Sequence, residues 1–387
     1  MKKLYLDYAA TTPVDPRVFK AMEPYFSKDF GNTMSLHSFG QSAKIALENS
    51  RSILADMINA EPNEITFTSS ASESNNLALK GVAFNMPKGS RARHIIISSI
   101  EHPCVLETAQ WLSKGYKLTK IPVDKYGMVN PKDIEKEIRP ETVLVSIIYA
   151  SNEIGTIQDI AEIGKICRKK GVYFHTDASQ SFGKIPIDVK KMNIDLLTAS
   201  SHKIYGPKGA GLLYVRNGIK LVPLIHGGGQ ENGLRGSTIN IPAIIGFAKA
   251  AEIAKKEMKI ESERLEKLRD KLIKGVLKIE NSHLSGHLKN RLYNIANFWF
   301  DFIEGESLLI QLDLEGIAAS TGSACSSLKL EPSHVLLATG LKPQQAHGSL
   351  RISLGRYTKE KDIDYLIKVL PEIIKHIREI SPFKKYD

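Results

Sequence analysis

Apolar runs of strand length alternate with segments of helical spacing along most of the chain. The helical segments carry apolar residues three or four positions apart, whereas the strand segments are continuously apolar or alternate in polarity. The predicted strands of this part of the chain cover residues 64–68, 94–99, 142–149, 171–177, 194–199 and 209–215. The predicted helices cover residues 41–60, 77–84, 108–114, 131–138 and 160–170. This alternation predicts an α/β fold with a large, mainly parallel sheet and helices on both faces.

The pattern changes in the last third of the chain. A long, heavily charged segment over 253–279 has only a thin apolar stripe, which predicts a solvated helix that bridges two domains. Beyond it, the predicted strands cover residues 293–300, 317–320 and 349–355, and the predicted helices cover 304–312 and 332–338. We therefore expect a large domain over 15–255 and a smaller α+β domain formed by 1–14 and 256–387.

Composition and charge narrow the class of protein. The 387 residues are 42% hydrophobic and 25% charged, which is enough for a large core and more than one domain. The basic residues behind the formal charge of +11 are spread along the chain, without the basic arm of a nucleic-acid binder. We interpret them as a lysine-rich, solvated surface. Direct binding of nucleic acid is therefore not expected.

No membrane or targeting segment is predicted. The most apolar late stretch, 239–254, is interrupted by Pro242 and Lys249 and is too short to span a bilayer. At the start of the chain, Asp7 stands where a secretory signal would be apolar. We expect a cytoplasmic protein without a membrane partner.

The three cysteines have no paired spacing that suggests zinc or a disulfide framework, so no metal site is predicted. Cys167 lies within a predicted helix and is interpreted as a core residue. Cys325 lies in a run of small, flexible residues over 320–332, so we expect it on an exposed, mobile loop.

A lysine and a carboxylate follow neighbouring predicted strands. Asp177 ends one strand and Lys203 follows the next, in front of a turn at Gly206-Pro207. Open α/β sheets bind ligands at strand ends, and a desolvated lysine can condense with an aldehyde. Together the two side chains suit a pyridinium aldehyde, because the carboxylate keeps the ring nitrogen protonated while the lysine holds the carbonyl carbon. Taken alone, Lys203 would be interpreted as a solvated loop lysine, and it is the neighbouring Asp177 that changes this interpretation.

Further polar groups follow other strands. The serine-rich run 69–76 leads into a helix, where free N–H groups can bind a phosphate, although a plain serine cap is the simpler alternative. His102 follows the strand at 94–99 and could lie on a cofactor face or be purely structural. Asn152 follows the strand at 142–149 and can offer its amide to a phenolic oxygen or a substrate carboxylate.

Two later segments carry arginines. Arg351 lies inside an apolar strand and needs an anion, which is either an internal acid or the carboxylate of a substrate. The glycine-rich loop over 226–238, which contains Arg235, is either a mobile connector or an anion-binding loop. The residues alone leave both alternatives open.

Several motifs together resemble the cysteine desulfurases of the NifS/IscS type, within the class V aminotransferases and the type I fold of pyridoxal phosphate enzymes. The resemblance covers nearly the whole chain and rests on these motifs: Tyr-Leu-Asp-Tyr-Ala-Ala-Thr-Thr-Pro at the start, Asn152-Glu-Ile-Gly, Asp177-Ala-Ser-Gln, His202-Lys-Ile-Tyr-Gly-Pro-Lys-Gly, Gly322-Ser-Ala-Cys, Glu331-Pro-Ser-His and Leu350-Arg-Ile-Ser-Leu-Gly-Arg. The length of the cysteine segment resembles the branch of the family with a long mobile loop.

The resemblance implies a role for each matching residue. Lys203 would form the Schiff base with pyridoxal 5′-phosphate, and Cys325 would accept the sulfur of L-cysteine as a persulfide, leaving L-alanine. The remaining implied roles are as follows: Asp177 on the ring nitrogen, Gln180 on the ring oxygen, His102 stacked on the ring, Ala71, Ser72, Ser200 and His202 on the phosphate, Thr238 on the phosphate of the second subunit of a homodimer, and Asn152 and Arg351 on the substrate carboxylate. The implied acceptor of the sulfur is an iron–sulfur scaffold or a tRNA-thiolation enzyme.

The chain departs from the family pattern at Asn32-Thr-Met-Ser, Ser201 and Arg235-Gly-Ser-Thr, none of which removes a catalytic group. An aminotransferase or a selenocysteine lyase on the same scaffold is the alternative within the enzymes. A weakly active cofactor-binding scaffold of a sulfur-transfer complex is the alternative from another class. Transamination would not require Cys325, and a scaffold would bind the cofactor without producing sulfide.

Overall fold

The structure is a computed structural model that describes residues 3–87, 89–322 and 331–381. Its strands are β1 (Leu4–Tyr5), β2 (Ile65–Thr68), β3 (His94–Ser98), β4 (Lys117–Ile121), β5 (Thr142–Ser146), β6 (Tyr173–Asp177), β7 (Leu196–Ser200), β8 (Gly211–Val215), β9 (Ser282–Ser285), β10 (Ile295–Phe300), β11 (Ile317–Ala318) and β12 (Ser349–Ser353). Its α-helices are α1 (Pro16–Met22), α2 (Pro24–Ser27), α3 (Ser38–Asp56), α4 (Ala71–Phe84), α5 (Pro103–Leu112), α6 (Pro131–Glu137), α7 (Ile160–Lys170), α8 (Ile241–Val276), α9 (Gly305–Leu314), α10 (His334–Ala338), α11 (Pro343–His347) and α12 (Glu360–Ile380).

Seven strands form the central sheet in the order β2-β8-β7-β6-β5-β3-β4. The five strands from β7 to β4 are parallel, and β8 is antiparallel to both of its neighbours, β7 and β2. Strand β2 therefore runs in the same direction as the parallel set. The carboxyl ends of β2, β3, β5, β6 and β7 consequently lie at one edge of the sheet, which is where such sheets bind ligands. The predicted α/β architecture is confirmed.

Alternate residues of the same strand enter different cores on the two faces of the sheet. In β3, Ile96 packs with helices α3, α7 and the first half of α8, whereas Ile95 and Ile97 pack with α4 and α5. In β8, Leu212 and Leu213 divide in the same way. The two-residue period of a strand thus supplies apolar side chains to helices on both faces.

A separate core lies in the last third of the chain. There β10 pairs with β9 and β12, and α9 and α12 pack with these strands. Helix α8 is 36 residues long, about 54 Å, and its second half, from Leu265 to Val276, belongs to this core. The helix runs without interruption through residues 255 and 256, and the domain division there stays a prediction. None of the described helices has the length and apolar character needed to cross a membrane.

Four helices begin earlier than predicted because each has a side-chain cap in front of it. The capping side chains of α3, α4, α5 and α8 accept hydrogen bonds from first-turn N–H groups and belong to His37, Ser70, His102 and Asn240. The serine-rich run therefore lies mostly within the first turns of α4. Strands β4 and β9 were not predicted, because they are edge strands with polar sequences such as Lys-Leu-Thr-Lys-Ile. Helix α12 was not predicted either.

One glycine allows α7 to lie against the segment that leads into β7. A Cβ atom on Gly164 would lie 2.0 Å from the backbone carbonyl oxygen of Met192, so the helix or the segment would have to shift. We predict that Gly164→Ala lowers the free energy of unfolding by about 1–3 kcal/mol, or more if the segment cannot move. Urea unfolding midpoints test this.

Gly115→Ala is the matched control, because nothing lies within 4 Å of a Cβ atom at that position. Its free energy of unfolding should stay within about 0.5 kcal/mol of the wild type, or rise slightly. Equal unfolding midpoints for the two variants would contradict the close approach of α7 to Met192.

Candidate active site

A cavity of about 260 Å³ lies at the edge of the sheet where the parallel strands end. Ten of the residues singled out in the sequence line it: Ala71, Ser72, His102, Asn152, Asp177, Gln180, Ser200, His202, Lys203 and Arg351. They come from the ends of β3, β5, β6 and β7, the start of α4 and the inside of β12. The fold thus brings together side chains that are up to 280 residues apart in the sequence, from Ala71 to Arg351.

Asp177 ends β6 and is held by three hydrogen-bond donors. Asn75 donates from Nδ2 to one carboxylate oxygen at 2.7 Å, and Ser179 donates to the other from its backbone N–H at 2.9 Å and from its hydroxyl. These three donors fix the orientation of the carboxylate at the end of β6. Asn75 was not predicted; its only sequence signal is a polar residue on the buried face of α4.

Lys203 lies in the turn that follows β7. Its Nζ atom donates to the carbonyl oxygens of Ala9 and Ala10, at 2.7 Å each. Both carbonyls belong to the segment after β1, and both alanines line the cavity. The amine is therefore held inside the cavity by backbone acceptors, and a freely solvated loop lysine is excluded.

The ring of His102 has a defined tautomer. Its Nδ1 atom accepts the backbone N–H of Cys104 at 3.2 Å, as the cap of α5, so the ring proton lies on Nε2. Burial lowers the pKa of His102, which keeps the ring neutral. The Cys104 thiol lies 3.0 Å from the same Nδ1 and accepts a hydrogen bond from Asn75 at 3.1 Å.

Neither of the two described cysteines is suited to be a nucleophile. Burial, and secondarily the charge of Asp177, raises the pKa of Cys104 to about 12. Burial also raises the pKa of Cys167, which packs in the core as predicted. Both thiols therefore stay protonated near neutral pH, and a protonated thiol is a poor nucleophile.

The first turn of α4 lies on one wall of the cavity. Ala71 and Ser72 are the first two residues of the helix, where the N–H groups have no acceptor within the helix. Glu73 in the same turn is paired with Arg235 at 2.9 Å, which offsets its negative charge. Burial and the neighbouring Lys203 lower the pKa of His202 to about 3, so its ring is a neutral hydrogen-bonding group.

Arg351 has an internal acid partner and also lines the cavity, so both alternatives left open by the sequence are compatible with the structure. Its Nη2 atom donates to Asp7 at 2.8 Å, and Nη1 donates to the carbonyl oxygens of Asn152 at 3.0 Å and Gly322 at 3.1 Å. Its Nε atom is buried and has no hydrogen-bond partner among the described residues. Three of the five guanidinium N–H groups are thus used by described residues, which hold the side chain in place.

Two predicted residues remain, one of which lies elsewhere and one of which is outside the described residues. Thr238 lines a separate depression of about 180 Å³, together with Arg235 and Glu231. Its predicted role concerns a second subunit and stays a prediction. Cys325 lies in 323–330, outside the described residues. The described residues before and after that segment meet at Glu153, where the hydroxyl of Ser333 donates to the carboxylate and Gly322 packs against it.

Comparison with known proteins gives one consistent result. The profile of the family described as "Aminotransferase class-V" matches residues 4–366. A protein of Methanosarcina thermophila named "Cysteine desulfurase IscS" is 52% identical over 383 residues, which cover 98% of this chain and 94% of the relative. A solved structure titled "NIFS-LIKE PROTEIN" is 41% identical, with a TM-score of 0.91, and the match covers 97% of this chain and all of that one. A structure titled "SspA in complex with cysteine" is 40% identical, with a TM-score of 0.81, over 92% of this chain and all of that one.

A buried acid beside the cavity gives a prediction about pH. Glu101 is fully buried, and burial raises its pKa to about 8, although Ser98 and the N–H of Ile148 both donate to Oε1. Between pH 4.5 and 8 the folded protein keeps this proton while the unfolded chain loses it. Stability contributed by the protonated group is therefore lost as pH rises, by up to about 1.4 kcal/mol per pH unit.

Glu101→Gln cannot ionise, so we predict that its stability relative to the wild type increases from pH 5 to pH 8. The amide oxygen can still accept from Ser98 and Ile148, and any constant cost of the substitution cancels in the comparison of pH values. Urea unfolding at four pH values measures the trend. Parallel stability profiles of the two proteins would contradict the raised pKa.

Proposed function

Because this chain belongs to the class-V aminotransferase family, we propose that it removes the sulfur of L-cysteine with the help of pyridoxal 5′-phosphate and Cys325. The products are L-alanine and a persulfide on Cys325, and the enzyme is a cysteine desulfurase, a sulfurtransferase. The observation that carries the proposal is the meeting of Asp177, Lys203 and Arg351 in one cavity, since an acid, an amine and a guanidinium are what a pyridinium aldehyde and an amino-acid substrate require.

The residues around the cavity fit this cofactor chemically. The N–H groups of Ala71 and Ser72, with Ser200 and the neutral His202, suit a phosphate. The carboxylate of Asp177 is oriented by three donors and can hold a protonated ring nitrogen. The neutral ring of His102 can lie against an aromatic ring. The donor set thus matches pyridoxal phosphate at each of its ends.

Three residues of the cavity bind the substrate and transfer its proton in this proposal. The cofactor, when bound, supplies the electron sink that stabilises a carbanion at the Cα atom of the substrate. Arg351 and Asn152 bind the substrate carboxylate. The Nζ atom of Lys203 takes the Cα proton and returns a proton to complete alanine, and the carbonyl oxygens of Ala9 and Ala10 hold this amine when it is released.

Cys325 is the sulfur acceptor in this proposal. Its thiolate attacks the sulfur of the substrate, the new S–S bond forms as the C–S bond breaks, and the electron pair of that bond stays with the carbon that becomes alanine. The raised pKa values of Cys104 and Cys167 leave neither of them as an effective alternative. An iron–sulfur scaffold or a tRNA-thiolation enzyme then takes the sulfur. A cytoplasmic location is part of the proposal, since thiols stay reduced there.

The proposal includes a homodimer. Seven large apolar side chains between residues 19 and 45 are more than half exposed in the single chain: Phe19, Phe26, Phe30, Met34, Leu36, Phe39 and Ile45. An apolar set of this size on one part of a chain is typical of a surface that is covered by a partner. A second copy of this chain is the occupant we propose, with Thr238 reaching its cofactor.

The first prediction from this function concerns the reacting cysteine. Purified wild-type protein should show the visible absorption of bound cofactor and convert L-cysteine to alanine and sulfide in the presence of a reducing agent. Cys325→Ala should keep the cofactor absorption and its response to L-cysteine, but lose at least 100-fold in sulfide release, because the attacking thiolate is missing. Absorption spectra and assays of both products measure this.

Cys167→Ala is the matched control, since Cys167 packs in the core away from the cavity, and its activity should equal that of the wild type. Wild-type levels of sulfide from Cys325→Ala would favour another reaction on this fold. A scaffold role would be favoured by a coloured wild-type protein that releases no sulfide.

The second prediction concerns the dimer. The wild type should have twice the chain mass of 42.9 kDa in light scattering. Leu36→Asp should shift the population to monomers. Position 36 is 92% exposed in the single chain, so an aspartate there does not destabilise the monomer, whereas the dimer would have to bury its charge. Leu288→Asp, at an apolar side chain that is 65% exposed and lies outside the 19–45 segment, should leave the mass unchanged. A monomeric wild type, or a dimeric Leu36→Asp, would contradict the proposed surface.

A further inference from the structure

Lys184 is a buried lysine behind the wall of the cavity. It follows Gln180 by four residues in the turn after β6, and only 7% of it is exposed. Among the described residues it forms no ion pair with a carboxylate. Burying an ammonium group without such a partner costs several kcal/mol, so its presence calls for a physical reason.

The groups that face Lys184 do not stabilise its charge. It lines a small cavity of about 40 Å³ together with Glu257 and Glu261, but these carboxylates are bound by arginines: Glu257 by Arg17 and Arg356, and Glu261 by Arg264. The tyrosines of this cavity, Tyr8, Tyr205 and Tyr293, have raised pKa values and stay neutral. Burial, and secondarily the charge of Lys203, lowers the pKa of Lys184 to about 7.

The hydrogen bond of Lys184 fixes the orientation of an amide. Its Nζ atom donates to Oε1 of Gln180 at 2.9 Å. On the other side of the same amide, Nε2 of Gln180 donates to the carbonyl oxygen of Ala9, also at 2.9 Å. The carbonyl oxygen of Ala9 can only accept, so it keeps the amide nitrogen on its side, and the Lys184 amine, which can donate in either protonation state, holds the amide oxygen on the other. Gln180 lines the main cavity and therefore offers it the second N–H of Nε2, not its oxygen.

The same carbonyl oxygen links this pair to the amine of the site. Ala9 accepts from both Nε2 of Gln180 and Nζ of Lys203. If Lys184 were replaced by an apolar residue, Oε1 of Gln180 would lose its donor, while the carbonyl oxygen of Ala9 would still hold the amide nitrogen. The amide would then be anchored at one end only, and the N–H that it offers to the cavity would be less firmly positioned.

We propose that Lys184 is a positioning residue that holds Gln180 as a hydrogen-bond donor toward the ring oxygen of pyridoxal phosphate. The inference rests on the proposed function, since Gln180 faces the cofactor only if the cavity binds it. Lys184 contributes to the chemistry through Gln180 alone. Burying Lys184 lowers the free energy of unfolding, and its benefit is the positioning of Gln180 in the site.

The test compares Lys184→Met, Gln180→Leu and the double variant as cofactor-loaded proteins. A donor to an oxyanion lowers the pKa of the group that bears it, so its loss should raise the pKa at which the visible absorption of the bound cofactor changes. We expect a rise of at least half a pH unit in each single variant. The double variant should show no more than the larger single shift, because both substitutions act on one and the same donor, the amide of Gln180. Absorption spectra between pH 6 and pH 10 give these values.

Two further variants separate positioning from a structural role. Lys184→Arg keeps a side chain that can only donate, and should hold the pKa of the absorption change within 0.2 units of the wild type; the adjacent cavity of about 40 Å³ offers room for the longer side chain. Lys249→Met, which removes an exposed lysine of α8, should have no effect. Without cofactor and at pH 6, where the wild-type amine is mostly charged, Lys184→Met should unfold at a higher temperature than the wild type, since it buries no charged group.

Each result bears on the proposal. An unchanged absorption pH profile in Lys184→Met, additive shifts in the double variant, or a lower unfolding temperature of cofactor-free Lys184→Met would each overturn it. Should Lys184→Met fail to fold, the lysine is structural and the proposal is wrong. A wild-type protein that shows no cofactor absorption would instead overturn the proposed function.

Discussion

Desolvation decides which groups around the cavity carry charge. Burial shifts five ionisable groups toward their neutral forms, namely Glu101, His102, Cys104, Lys184 and His202. The charge of Asp177 is stabilised by three donors, and that of Arg351 by Asp7 and two carbonyl oxygens. A low-dielectric pocket in which a few charges are held by hydrogen bonds, and the remaining groups are neutral, strengthens each charged contact that a bound molecule makes. The catalytic proposal depends on this separation.

The site is assembled where the two main cores meet. The central sheet supplies the groups at the strand ends, while β12 supplies Arg351 and the segment after β1 supplies the carbonyls that hold Lys203. That segment is itself fixed to the smaller core, since β1 pairs with β11, and Ser353 bonds to Leu6 and Ala9. Helix α8 packs in both cores and connects them without a break.

The sequence predicted those parts of the site that leave a side-chain signal at the end of an apolar strand. Asp177, His102 and Lys203 belong to this group, and so does the parallel sheet that aligns them. Ala9 and Ala10 bind Lys203 through their backbone carbonyl oxygens, and such contacts cannot be predicted from the residue type. The acid partner of Arg351 could not be identified, because Asp7 lies 344 residues away in the sequence. The burial of Asn75 and Lys184 could not be predicted from the sequence, since their hydrogen-bond partners are set by tertiary packing.

The pairing of the first strand with the end of the chain has a consequence for biosynthesis. Residues 4–9 bond to residues 316–318 and to Ser353, so these particular contacts cannot form until residue 353 has left the ribosome. At about 5–20 residues per second, that wait is roughly 20–70 s. The central sheet has its own core and can form in the meantime. The central sheet can therefore fold well before the carbonyls of Ala9 and Ala10 are fixed beside Lys203, and the cavity stays incomplete until residue 353 has been synthesised.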